Sequence, residues 1–362
     1  MSIKHSILGL LIFTLIGQTA WAGRAALKSI ATEPYASAFV LDADTGETLF
    51  SRNADAPVYP ASTLKLMVLL VILDRVEQGT LQLDEMVQVT VEAYKMGGSQ
   101  VYLDPKEQFS LEDLLYALMI QSANDAAIAL AIHVAGSTDA FVALMNEKAK
   151  ELGMKNTTFH SVHGLPPAKG QKVDVTTARD FGILSRNLST RPEVYKYTGT
   201  KMRDFRNGKF IMRTHNHLLD EVDGCDGFKT GYFTKAGFSI AATAKRNGVR
   251  IIAIVMGSKN RKVRDAKAIE LLNMGFAKVP ARTEAVMAIT ETIPAKQKDT
   301  ATSRQETAVS AIQEPEKIEP AGDSGWIKFF MGMAVGLLLY AAFDSFFRRK
   351  KRTRNHWRSR KL

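Results

Sequence analysis

Residues 64–73, Leu-Lys-Leu-Met-Val-Leu-Leu-Val-Ile-Leu, are apolar at every position except Lys65. A helix with no polar face cannot lie on a surface, so this one is expected to be buried with protein on all sides. The rest of the chain must supply the layers around it. Strand signals stand on both flanks. Residues 36–50, ASAFVLDADTGETLF, read as a strand, a turn at Asp44-Thr45-Gly46 and a second strand. Later, FSIAATA and VRIIAIVMG flank Lys245-Arg246-Asn247-Gly248, an Asn-Gly hairpin. Between these flanks, from about 74 to 200, the pattern is mostly helical. Its clearest part is 111–134, two apolar helical runs interrupted by Gln121-Ser122-Ala123-Asn124. Residues 264–276 read as a helix ending near Gly275. The expected fold is α+β: an antiparallel sheet built from both ends of the chain, flanked by helices, with a helical insertion.

The formal charge of +11 invites a nucleic-acid partner, but its distribution argues against one. Residues 348–362 carry nine Lys and Arg and no acid, so the remainder holds only +2. Ahead of that tail, residues 326–347 are apolar all round, with Lys328 and Asp344 near the ends. Their length reaches roughly 33 Å as a helix, enough to cross a bilayer. The basic tail then belongs on the cytoplasmic side. Gly332 and Gly336 form G-x-x-x-G, a spacing that lets two spans pack as a homodimer. At the other end, Lys4 and His5 precede an apolar run, and Ala20 and Ala22 suit cleavage after residue 22; the alternative is an uncleaved anchor. The expected organisation is therefore a signal peptide at 1–22, a globular domain at 23–282, a linker at 283–325, a span at 326–347 and a tail at 348–362. The location is the cytoplasmic (inner) membrane, with the globular domain outside. Cys225 is the only cysteine, which excludes an intrachain disulfide.

Three short patterns could carry chemistry. Ser62 and Lys65, three apart on a helix, share a face. Ser62 is either a helix cap or a nucleophile whose proton goes to Lys65, which requires that the lysine pKa be lowered. Ser122 and Asn124 interrupt the helical run, as an ordinary turn with an Asn cap or as two groups offered to a cleft. Lys229-Thr230-Gly231 precedes a strand signal, as a surface turn or as a grip for a carboxylate. His215 and His217 could face one side of a strand, but no third ligand is evident; His160 and His163 are similar, and no metal or cofactor is expected. No G-x-S-x-G occurs, so the nucleophile elbow of an α/β-hydrolase is missing.

In this order, S-x-x-K, S-x-N and K-T-G resemble the set found in penicillin-binding proteins and class A β-lactamases. From about Ala36 to Phe276 the chain is similar to low-molecular-weight penicillin-binding proteins, the serine-type D-alanyl-D-alanine carboxypeptidases. The likeness includes YPASTLKLM, SANDAAIALA, MNEKAKELGMKNTTF, HGL with TTARD, VDGCDGFKTGY and RDAKAIELLNMGF. It implies a β-lactamase/transpeptidase-like fold, Ser62 as nucleophile and Lys65 as base. Ser122 would relay a proton to the leaving amine, and Asn124 would orient Lys65 and substrate. Lys229, Thr230 and Gly231 would hold the terminal carboxylate, with Arg264 as a further ligand and Arg261 competing for that role. The backbone N–H groups of Ser62 and Tyr232 would form an oxyanion hole, although many members have histidine at the Tyr232 position. The implied partners are peptidoglycan stem peptides and β-lactam antibiotics, and the implied activity is D-Ala-D-Ala carboxypeptidation. Endopeptidase action on cross-links is the alternative. A β-lactamase is disfavoured because no matching acidic motif follows Ser122-Ala123-Asn124, and a silent cell-wall-binding protein is disfavoured by the complete set of residue types. The small β-rich domain that many relatives carry after the catalytic one is expected to be absent.

Overall fold

The computed structural model describes residues 27–282. The expected signal peptide, linker, span with Gly332 and Gly336, and basic tail lie outside the described residues. Strands β1 (Ser37–Asp42) and β2 (Thr48–Arg52) form the first hairpin. A 3-10 turn, Ala61–Leu64, runs directly into helix α1 (Lys65–Glu77). Then come β3 (Met86–Gln88), the single turn α2 (Val91–Tyr94), β4 (Gln108–Ser110) and α3 (Leu111–Tyr116). A π-helical turn at Ala117–Gln121 precedes α4 (Asn124–Ala135), which α5 (Thr138–Glu151) follows. After an irregular stretch come α6 (Ala178–Ser189) and α7 (Val194–Thr198). Hairpin β5 (Met202–Phe205)–β6 (Phe210–Arg213) and the short α8 (Leu218–Glu221) lead back to the sheet. There β7 (Cys225–Phe233), β8 (Gly237–Arg246) and β9 (Val249–Ser258) precede the closing helix α9 (Arg261–Lys278).

The five-stranded sheet has the order β2-β1-β9-β8-β7, antiparallel throughout. The N-terminal hairpin thus pairs with the last strand, as the expected closure of the chain requires. β9 lies at the centre. Its Ile252, Ile254 and Met256 join the helical core, while Ile251, Ala253 and Val255 pack with Ala268, Leu271 and Leu272 of α9. Burial on both faces explains why this strand reads as an unbroken apolar run rather than an alternating one. α1 is buried from Lys65 to Asp74, and even Lys65 has no exposed surface.

Four expectations change. The last helix begins at Arg261, where Asn260 Oδ1 accepts the Lys262 N–H at 2.8 Å, and it continues past Gly275. Gly275 packs against Ile251 instead of ending the helix. Lys229-Thr230-Gly231 does not precede a strand but lies within β7, because small and mixed residues hide the two-residue alternation at a sheet edge. His215 and His217 are not on a strand; they occupy the loop into α8, with His217 as its N-cap. The middle is also less helical than expected. Within 74–200, β3, β4 and the irregular stretch after α5 interrupt the helices; just beyond that range, the β5–β6 hairpin turns through Arg206, Asn207 and Gly208, all at positive φ, and carries a readable Asn-Gly pair. Among the described residues no single helix is long and apolar enough to cross a membrane.

Candidate active site

The turn Ala61–Leu64 sets Ser62 at the head of α1, partly exposed, while Lys65 one turn on is enclosed. Lys65 Nζ stands 3.3 Å from Ser62 Oγ and donates to Asn124 Oδ1 at 2.7 Å and to the His163 carbonyl at 2.8 Å. Burial holds the Lys65 pKa well below the usual lysine value, and the nearby charge of Lys229 lowers it further; Asp125 and Asp174 oppose them. A neutral amine has two N–H donors and one lone pair. Two carbonyl oxygens accept those donors, so the lone pair is left facing the Ser62 hydroxyl.

Ser122 sits where the π-helical turn ends, in the left-handed region at φ 59°. That conformation is costly for a residue with a side chain and breaks the helix, which restarts at Asn124. The break is tied to the loop 97–103, a part of the wall that sequence reading missed. Asn124 N–H donates to Ser99 O at 2.8 Å, Asn124 Nδ2 to Gly97 O at 2.8 Å, and Ser99 Oγ to Gln121 O at 2.6 Å. The Asp125 carboxylate accepts the N–H groups of Val101 and Leu103, so its charge serves to hold this loop.

β7 forms the opposite wall. A side chain at Gly231 would have its Cβ 2.8 Å from Pro60 O and 2.9 Å from Thr63 N, so only glycine lets the edge strand close on the Ser62 turn. Lys229 is buried, and burial together with the Arg264 charge brings its pKa down to about 7. Tyr232 points outward, half exposed, and stacks on Phe238 at 4.1 Å between ring centroids.

Both arginines reach the cleft, in different states. Arg264 is buried: its Nε donates to Asp265 Oδ1 at 2.8 Å, its Nη2 to the same oxygen, and its Nη1 to Ser239 O at 3.1 Å. Each terminal nitrogen keeps one further N–H, on a guanidinium that cannot swing. Arg261 is exposed at the rim, with Nη1 3.3 Å from His217 Nε2.

These groups share one cleft of about 600 Å³, lined by Ser62, Ser122, Asn124, Thr230, Gly231, Tyr232, Arg261 and Arg264. Gly98, Ser99, Leu165, Thr214, His215, His217 and Phe238 complete it. His215, on the cleft wall with its side chain still open to solvent, is pushed down to about 4 by partial desolvation and then by the charge of Lys229, and is neutral at neutral pH. Among the described residues no group of three His, Cys, Asp or Glu is placed to hold a metal ion. Cys225 is pushed up to about 11 by burial, which leaves an unreactive thiol.

The model of the D-alanyl-D-alanine carboxypeptidase family, peptidase S11, matches residues 26–260. The D-alanyl-D-alanine carboxypeptidase DacC of Escherichia coli is 37% identical over 271 residues, covering 72% of this chain and 66% of that one. A D-alanyl-D-alanine endopeptidase of Pseudomonas aeruginosa is 33% identical over 64% of this chain and 74% of its own length. Among solved structures, penicillin-binding protein D2 of Listeria monocytogenes in its ampicillin-bound form superposes with a TM-score of 0.61 at 33% identity, covering 70% of this chain and all of that one. The chain spans less than two thirds of the length of the first curated carboxypeptidases it matches. A family match running from the first strand through the last, over a cleft that joins all three motifs, shows that this chain belongs to the D-alanyl-D-alanine carboxypeptidase family of peptidases.

Proposed function

We propose that the protein is a serine D-alanyl-D-alanine carboxypeptidase that removes the terminal D-Ala from peptidoglycan stem peptides through a Ser62 acyl-enzyme. The observation that carries this reading is the enclosed Lys65 amine, 3.3 Å from Ser62 Oγ with its other two directions taken by carbonyl oxygens. In this reading Ser62 Oγ attacks the carbonyl between the two D-alanines and its proton passes to Lys65 Nζ. The N–H groups of Ser62 and Tyr232 face the developing oxyanion. Ser122 carries the proton to the departing amine, and Lys229, Thr230 and Arg264 hold the carboxylate that leaves with it. Arg264 is preferred to Arg261 because it is already fixed and needs no ordering on binding. Water then hydrolyses the acyl-enzyme. A β-lactam enters the same path and stays on Ser62. The sequence readings of 1–22 and 326–347 support action outside the cytoplasmic membrane on a membrane-anchored chain.

Endopeptidase action on cross-links is the second reading, favoured by the likeness to the Pseudomonas aeruginosa enzyme. Full-length chain, wild type and Ser62→Ala, incubated with labelled penicillin, a stem pentapeptide and a cross-linked dimer separates the two. Release of D-alanine from the pentapeptide is expected. Cleavage of the dimer alone would move the assignment to an endopeptidase, rapid penicillin turnover would move it to a β-lactamase, and neither label nor product would end the enzyme reading.

Two further results are expected. Lys229 must be protonated to attract a carboxylate, and its value is lowered to about 7. The kcat/KM for a substrate with a free carboxylate therefore falls as pH rises through about 7. The matching limb of kcat lies higher, because the bound carboxylate retains the proton. The ascending limb belongs to deprotonation of Lys65, with the two lysines titrating as a coupled pair. Gly231→Ala pushes β7 off the Ser62 turn and is expected to slow acylation by roughly 10²-fold, measured as the rate of penicillin labelling.

A further inference from the structure

We propose that Asp174, acting through Ser161, is a positioning residue for the base: together they fix the His163–Gly164 peptide plane whose carbonyl holds Lys65 Nζ. The inference rests on the acyl-enzyme reading above. Neither Asp174 nor Ser161 lies in the three motifs, and neither lines the cleft that holds Ser62.

The argument begins with the peptide plane. Residues 160–165 belong to no helix or strand, so no ladder orients the His163 carbonyl. A trans peptide is planar, with its C=O and N–H pointing in opposite directions. Fixing the Gly164 N–H therefore aims the His163 C=O. That N–H donates to Ser161 Oγ at 2.9 Å, and Ser161 Oγ–H donates in turn to Asp174 Oδ2 at 2.7 Å. At the other end of the plane, the His163 carbonyl accepts Lys65 Nζ at 2.8 Å. The chain of bonds from Asp174 to the base is continuous: carboxylate, hydroxyl, amide, amine.

Both ends are anchored. Asp174 is 4% exposed, and its Oδ1 also accepts the N–H groups of His160 at 2.6 Å and Ser161 at 2.9 Å. The next two residues pair outward. Val175 bridges to Thr158, and Thr176 bridges to Val58, four residues before Ser62. Gly164 sits at φ +73°, and a Cβ there would lie 2.2 Å from Ala61 O, so the plane packs directly on the turn that carries the nucleophile. The one loop thus touches both halves of the Ser62–Lys65 pair.

The carboxylate has a second effect. Lys65 is faced by Lys229 from β7, Asp125 from α4, His163 and Asp174 from the 158–176 segment and His215 from the loop before α8. Asp174 favours the charged ammonium, against burial and Lys229. Removing its charge lowers the Lys65 pKa further, so the ascending limb of the acylation profile moves to lower pH. Removing only the Ser161 hydroxyl leaves the Asp174 carboxyl in place: burial pushes its pKa up, and the His160 and Ser161 N–H groups still oppose that push. The two substitutions are therefore expected to differ in pH profile while sharing a loss of rate.

The test measures acylation of full-length wild type, Asp174→Asn, Ser161→Ala and Ser161→Thr by a fluorescent penicillin across pH 4 to pH 9, with thermal midpoints alongside. Expected is a plateau acylation rate lower by about 10- to 100-fold in D174N and S161A, with initial binding little changed. The limb moves to lower pH in D174N, and S161T restores the plateau. Wild-type plateaus and limbs in both D174N and S161A would overturn the proposal. So would a plateau loss that S161T does not reverse accompanied by an unmoved limb in D174N, since those residues would then merely support the fold. A wild type that takes no label would overturn the acyl-enzyme reading itself.

Discussion

Ser62→Ala is expected to abolish covalent labelling by penicillin and to lower D-alanine release by about 10⁴-fold or more. The hydroxyl supplies the only protein atom that bonds to substrate carbon in the proposed path, so no neighbour replaces it. The fold should survive the change. Ser62 is partly exposed in a turn held by Thr63, whose N–H and hydroxyl both donate to Pro60 O, at 3.2 Å and 2.6 Å. The check is a labelling gel and a D-alanine assay on the same preparation, with the thermal midpoint unchanged. Substantial D-alanine release from the variant would remove Ser62 from the mechanism.

Lys65 carries the second large effect. Lys65→Arg keeps a cation that cannot lose its proton at any working pH. Lys65→Met keeps the length and removes the base. Both are expected to slow acylation by roughly 10³-fold, within the range for losing a general base. Stability gives an independent reading of the buried amine. Its folded pKa lies well below the ordinary lysine value of 10.5, so between those values the unfolded chain binds more protons than the folded one. Stability of the wild type relative to K65M therefore rises with pH across that window, and the full penalty of burying the charge is present below it. Denaturant midpoints of the two proteins from pH 5 to pH 9 measure this directly. A pH-independent difference would mean that Lys65 keeps its proton in the folded state, and would leave Ser62 without this base.

Periodicity and residue type made part of the site legible. The unbroken apolar run of α1 required burial, and it is buried from Lys65 to Asp74. Ser122 and Asn124 stand out in the sequence because a polar break inside two apolar helical runs needs a reason. The structure supplies one in the left-handed Ser122 and the loop 97–103 bonded to Asn124. Lys229 was harder to place. Its strand is an edge strand whose K-T-G carries no alternation, so the pattern suggested the approach to a strand rather than its interior. His215 and His217 mislead for a similar reason: spacing by two suits a strand, but His217 caps a helix of a single turn.

What the sequence alone determined was the closure of a sheet from both chain ends around a buried helix, and the residue types of three motifs in family order. Both follow from local pattern, which a chain carries before it folds. What only the tertiary structure decided were interactions across long separations. Lys65 meets Asn124, 59 residues on, and the His163 carbonyl, 98 residues on. Backbone carbonyls have no letter in a sequence, and a lysine pKa depends on what encloses it. The conversion of a common S-x-x-K into a serine beside a lysine with a depressed pKa was therefore made by packing, which strips water from Lys65 and sets a second cation, Lys229, close by.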